Sequence, residues 1–156
     1  MKKSWREKLA DDKELPKVGE VAGKLTRRWG EGRFVIPAPR EVDALMKQGP
    51  RDRVVTINEL RAALARKHKT AFACPITTRI FSWIAAHAAA EDEADSKKRI
   101  TPYWRTLKLG GQVNLKYPGG VKEIAKRLRA EDHKIVTKGK RTLLADYEKK
   151  LFTKLR

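Results

Sequence analysis

Two stretches of the chain hold residue types able to act on a partner. The first runs from Cys74 to Ala90, Cys-Pro-Ile-Thr-Thr-Arg-Ile-Phe-Ser-Trp-Ile-Ala-Ala-His-Ala-Ala-Ala. Cys74 precedes a proline at an expected helix start, where thiol pKa values fall. No histidine neighbours it in sequence to serve as its base, so it is not expected to be catalytic; an enzyme using Cys74 as a nucleophile is the alternative. In the same stretch Arg79 is a lone cation among the small side chains Thr77, Thr78 and Ser82. The second stretch carries Pro102, Tyr103, Trp104 and Arg105 in succession. Adjacent aromatics can stack on bases, with Arg105 adding a cation–π contact or a phosphate bond. They are also ordinary core material, one ring in and one out.

The first stretch is predicted to be a helix opened by Pro75, whose missing N–H costs nothing in a first turn. Ile76, Ile80, Trp83, Ile84 and His87 recur at helical spacing and are expected to form the buried face. Thr78, Ser82, Ala85, Ala86 and Ala89 are then expected to point away from the core. A small outward face with one long cation suits a helix entering a nucleic-acid groove; a helix packed on both sides inside the domain is an equal alternative.

The chain has 156 residues, with 37 Lys and Arg against 19 Asp and Glu, a formal net charge of +18. The cations run from Lys2 to Arg156 rather than forming one tail, which predicts affinity for a polyanion with strong salt dependence. Charge alone does not separate DNA from RNA. One cysteine excludes an internal disulfide. His68, His87 and His133 are scattered without zinc-ligand spacing, so neither a metal nor another cofactor is expected. Lys2, Lys3 and Arg6 lack the apolar run of a signal peptide, and the uncharged run 80–90 is too short to span a bilayer. The expectation is a monomeric, soluble, cytoplasmic protein, nucleoid-associated in a bacterium, with no membrane partner.

Ser4 to Ala10 reads as a short capped helix, and Lys17 to Trp29 as helical through Val18, Val21, Ala22, Leu25 and Trp29, with a short extended piece at Arg33 to Ile36. Trp5, Leu15, Val18 and Leu25 are expected to cover the main core, with a partner surface formed by the same residues as an equal alternative. Pro39 opens the next helix, which ends at Gly49-Pro50. Thr56 with Glu59 three residues on is a capping-box spacing, starting a helix with Ile57, Leu60, Ala63 and Leu64 inward. With the helix after Cys74 this makes a helix-turn-helix. Glu91 to Lys98 reads as an exposed charge run. Val121 to Ala130 is helical. His133 to Val136 and Arg141 to Ala145 form a hairpin whose tip carries Lys138, Lys140 and Arg141, the wing that touches backbone phosphates in a winged helix-turn-helix. Tyr147 to Arg156 reads as a cationic tail with helical spacing of Leu151 and Leu155. The expected fold is mainly α with a small β-hairpin, a winged helix-turn-helix-like domain (39–147) with an N-terminal helical appendage (1–38) packing on it and a basic tail (148–156).

In the order of these motifs the chain from about Pro39 to His133 resembles the DNA-binding domain of alkylguanine-DNA alkyltransferases, and looks most like their non-enzymatic alkyltransferase-like relatives. Pro50-Arg51-Asp52-Arg53-Val54-Val55-Thr56-Ile57 stands for that family's Pro-x-Gly-x-Val-x-Thr-Tyr. Pro75-Ile76-Thr77-Thr78-Arg79 stands for Pro-x-Ala-Ala-Arg, and Pro102-Tyr103-Trp104-Arg105-Thr106 for the active-site Pro-Cys-His-Arg-Val. The resemblance implies that Arg79 enters duplex DNA from the minor groove and fills the space of a flipped nucleotide. It places Thr56, Ile57, Asn58, Thr77, Thr78, Arg79, Ser82 and Arg105 at the DNA, and Pro102, Tyr103 and Trp104 at a base pocket. Tyr103 stands at the alkyl-accepting cysteine and Trp104 at its activating histidine. A phenol with pKa near 10 is a poor soft nucleophile, so alkyl transfer is not expected. Ile57 replaces the tyrosine that helps rotate the target nucleotide, and the segment from Arg79 to Pro102 is longer than in the family. The implied partner is double-stranded DNA, with alkylated guanine as the lesion and a repair protein downstream. A sequence-tolerant chromosomal or regulatory DNA-binding protein is the alternative.

Overall fold

The computed structural model describes residues 2–156, apart from the side chains of Leu25 and Trp29. The expected place of the Leu25 side chain on the core therefore lies outside the described residues. Among the described residues there are six α-helices and three small sheets, so the fold is mainly helical.

Helix α1 (Trp5–Ala10) begins as its sequence requires: the Glu7 N–H donates to Ser4 Oγ, and the Glu7 carboxylate turns back to the Ser4 N–H. The following segment departs from the helical expectation. Lys17–Glu20 is a strand, β1, and only Leu25–Trp29 is helical (α2). β1 pairs antiparallel with β2 (Arg33–Ile36), Val18 opposite Val35. Gly19 explains the preference, because the Phe34 ring lies over it and a Cβ there would approach the ring to 3.1 Å. Gly23, at φ +63°, then turns the chain. Val18 is consequently exposed instead of covering the core. Since β2 also pairs parallel with β4 (Phe72–Ala73), the N-terminal third shares a sheet with the segment that leads into the long helix.

Helix α3 (Pro39–Met46) buries Val42, Leu45 and Met46. Strand β3 (Val55–Thr56) runs into α4 (Ile57–His68). The Thr56 hydroxyl accepts from the Asn58 N–H and the Glu59 carboxylate accepts from the Thr56 N–H at 2.7 Å. Lys69, left-handed at φ 55°, ends α4. Helix α5 (Pro75–Ala94) follows β4, completing the helix-turn-helix. β5 (Thr106–Leu107) pairs parallel with β3, Val55 opposite Thr106, so the segment after α5 returns beside the start of α4. Helix α6 (Gly120–Ala130) precedes the hairpin β6 (Ile135–Lys138) and β7 (Arg141–Leu144). The tail is not the expected helix. After one 3₁₀ turn at Tyr147–Lys150, Phe152 N–H donates to the Val54 carbonyl at 2.9 Å and Leu155 is buried. Pairing with Val54 satisfies the tail's backbone and holds it extended.

Candidate nucleic-acid interface

Helix α5 buries the side expected to face outward, and of the side expected to be buried Ile84 is buried while Ile76 and Ile80 are not. Thr78, Ser82, Ala85, Ala86 and Ala89 are the buried face, together with Phe81, Ile84 and Ala88, whereas Ile76 is 42% and Ile80 45% exposed. Small residues let the helix backbone come close to its neighbours, here α3 and α4 of the same domain. The two hydroxyls are tolerated inside because the helix satisfies them: Thr78 Oγ1 donates to the Cys74 carbonyl at 2.7 Å and Ser82 Oγ to the Arg79 carbonyl at 2.8 Å. The tyrosine hydroxyl of Tyr117 donates to Ser82 Oγ at 3.0 Å.

The apolar stripe read from the sequence exists, but it has a different cover. Its C-terminal half is roofed by α1. The Trp5 ring stacks on His87 at 4.4 Å and stands edge-on to Trp83 at 4.6 Å. Trp83 Nε1 donates to the Lys116 carbonyl, and His87 Nε2 lies 3.2 Å from the same oxygen. Arg6 pairs with Asp95 at 2.6 Å and with Asp92 at 3.5 Å, so part of the acidic run at the end of α5 is held in ion pairs rather than simply solvated. The N-terminal half of the stripe has no such roof. Ile76, Arg79 and Ile80 form an open patch, and Arg79 makes no ion pair among the described residues.

Around the second stretch the side chains are engaged internally. Tyr103 is 2% exposed, its ring edge-on to Trp104 at 5.3 Å and to Tyr117 at 6.2 Å, with the Arg127 guanidinium 5.5 Å from its centre. Burial raises its phenol above the ordinary value, with the Arg127 charge opposing and Glu93 and Glu123 adding. Pro102 is buried beside it. Trp104 Nε1 donates to Glu131 Oε2 at 3.0 Å. Arg105 makes a two-pronged pair with Glu131, at 2.8 and 2.7 Å, and donates to the Gly49 carbonyl at 2.8 Å. Pro102, Tyr103 and Trp104 thus come together as expected, but as a packed corner between α5 and α6. Two recesses in the surface lie elsewhere, one under the hairpin and one at the N-terminal segment.

Thr56 and Ile57 are buried, and the Thr56 hydroxyl is engaged as the α4 cap; Asn58 beside them is exposed. Thr77 is half-buried. Lys138, Lys140 and Arg141 are exposed at the hairpin, which turns through Gly139 at φ +60°. Cys74 is a free, buried thiol. Among the described residues no group of three or more His, Cys, Asp or Glu is placed to hold a metal ion, and no helix is long and apolar enough to cross a membrane. Ile76 and Ile80 are the residues of the open patch that the sequence placed in the core. Their signal was a stripe wider than one core face needs.

The fold is of the helix-turn-helix class, with a long second helix and a hairpin beyond α6. It is similar to the crystal structure of S. pombe Atl1 in complex with damaged DNA containing O6-carboxymethylguanine. The TM-score is 0.53 at 16% sequence identity, and the match covers 73% of this chain and 93% of that chain. At that identity the likeness is one of fold. No protein-family model and no curated protein sequence matches the chain.

Proposed function

We propose that this chain binds duplex DNA without covalent chemistry, laying the open N-terminal half of α5 into the minor groove, and that it recognises distorted, alkylated sites for repair. The observation that carries the reading is the patch itself: Arg79, without an ion pair among the described residues, bracketed by exposed Ile76 and Ile80 on a chain of net charge +18. Minor-groove proteins combine a cation with apolar wedges that part a base step. A fold shared with a protein crystallised on damaged DNA supports the same reading. Arg79 inserts, the two isoleucines press on the neighbouring bases, and Asn58, Lys138, Lys140 and Arg141 contact the backbone, whereas the Thr77 hydroxyl is buried. Thr56, Ile57, Thr78, Ser82 and Arg105 act by holding these elements in place. Extruding a base costs a few kcal/mol and least at a lesion, so damage preference needs no base-specific contact. Tyr103, a buried phenol, accepts no alkyl group in this scheme.

The burial of Ile57 and Tyr103 favours a second reading, sequence-tolerant binding to intact duplex with no base held in a pocket. Equilibrium binding to duplexes with and without one O6-alkylated guanine separates the two. Damage recognition gives tighter binding to the lesion and an Arg79→Ala variant that loses lesion affinity more than intact-duplex affinity. Equal affinities at moderate salt, falling together in the variant, establish the second reading instead.

A further inference from the structure

The N-terminal segment carries a cationic recess that none of the interface residues above uses. Lys2, Lys3, Lys8 and Lys13 line it with Asp11, and its wall on the main domain is Ile84 of α5. Four ammonium groups meet a single carboxylate. Asp11 is taken by Lys3 at 2.9 Å, and Lys8 sits over the Trp5 ring at 4.3 Å. Lys2 and Lys13 make no side-chain ion pair among the described residues, although the Lys13 N–H donates to Asp11 at 3.2 Å. Like charges gathered this way destabilise a protein slightly unless an anion joins them.

The place of the recess is as informative as its charge. Ile84 lies one turn beyond Ile80 on the same row of α5, about 6 Å along the helix axis at 1.5 Å per residue. The recess therefore adjoins the turn of α5 next to the exposed patch. The lysines are also presented from a fixed support. The capping box shapes α1, Trp5 clamps it onto Trp83 and His87, and Arg6 ties it to Asp92 and Asp95.

We infer that Lys2, Lys3, Lys8 and Lys13 form a phosphate clamp on the DNA strand flanking the groove occupied by α5. The inference rests on the proposed function, and it gives the N-terminal segment a binding role distinct from covering α5. The clamp touches only phosphates, so it adds affinity and salt dependence equally for intact and damaged duplex.

The test is the slope of log Kobs against log salt for one intact and one O6-alkylguanine duplex. It compares the full chain with a Lys2→Gln, Lys3→Gln, Lys8→Gln, Lys13→Gln variant and with a Lys2→Glu, Lys13→Glu variant that leaves the Lys3–Asp11 pair intact. Each lost phosphate contact lowers the magnitude of this negative slope by about 0.9. A fall of about 2 or more in the quadruple variant, with affinity down tenfold or more on both duplexes and their ratio unchanged, supports the clamp. A slope equal to that of the parent chain in both variants, with unchanged circular dichroism and thermal midpoint, overturns it. A changed lesion-to-intact ratio at constant slope also overturns it. Failure of the parent chain to bind either duplex overturns the underlying function itself, and is told apart from failure of the clamp by being visible before any substitution.

Discussion

The hydroxyl of Tyr117 donates to Ser82 Oγ at 3.0 Å, and Ser82 in turn donates to the carbonyl of Arg79, so a buried chain of two hydrogen bonds ties the loop before α6 to the backbone beneath the exposed arginine. Burial pushes the Tyr117 phenol up to about 12, against the help its ionised form receives from Ser82 and Asn114.

Tyr117→Phe removes the first of these bonds and leaves Ser82 still bonded to Arg79. The expected loss of stability is about 1 kcal/mol near neutral pH. The alkaline behaviour is a sharper test. Because the folded pKa lies above the unfolded value near 10, the wild-type contribution is complete below pH 10 and is lost as pH rises towards 12. The gap corresponds to roughly 3 kcal/mol. Denaturant midpoints of both chains between pH 8 and 12 check this: the wild-type curve falls further than that of the phenylalanine variant.

Glu131 holds Arg105 by two bonds and accepts from Trp104, and both ionic side chains are largely buried. Glu131→Ala leaves the guanidinium with the Gly49 carbonyl alone and strands the indole N–H. An unpaired buried charge typically costs about 3–5 kcal/mol. Urea unfolding of Glu131→Ala and of the double change Arg105→Met, Glu131→Leu reads it out. The double variant recovers most of the loss, because no charge is left stranded. Loss as large in the double as in the single variant would contradict the assignment.

His133 is buried, and neither ring nitrogen makes a well-formed hydrogen bond. Burial pushes its pKa down, Lys150 and Arg105 add to the shift, and Glu131 and the Arg51 backbone oppose it. The folded chain therefore holds the ring neutral where the unfolded chain takes up a proton. Stability contributed by His133 is complete above about pH 6.5 and is lost as pH falls through the depressed folded value. His133→Phe should flatten the stability curve between pH 6.5 and 5, measured by thermal unfolding in matched buffers.

Several elements were legible along the chain because their causes are local. Ser4 with Glu7 and Thr56 with Glu59 each cap a helix through atoms three residues apart. Gly139 turns a hairpin between strands that follow one another directly. By contrast, β1 was hidden behind a helical reading, because Val18, Val21 and Ala22 have helical spacing. Its preference for a strand comes from Phe34, fifteen residues on, lying over Gly19. The tail escaped for the same reason, its partner being Val54.

The interface divides in the same way. By itself the sequence determined a strongly basic chain, a helix-turn-helix with Arg79 near the start of its second helix, and an aromatic pair followed by Arg105. These follow from residue type and short-range spacing. The tertiary structure decided which side of α5 faces the domain. A helix with small residues on one side and large apolar residues on the other can bury either, and the choice falls to the neighbours' shape: α3 and α4 approach the small face closely, while Trp5 roofs only half of the large one. The same packing took Tyr103 into the core and left Ile76, Arg79 and Ile80 open.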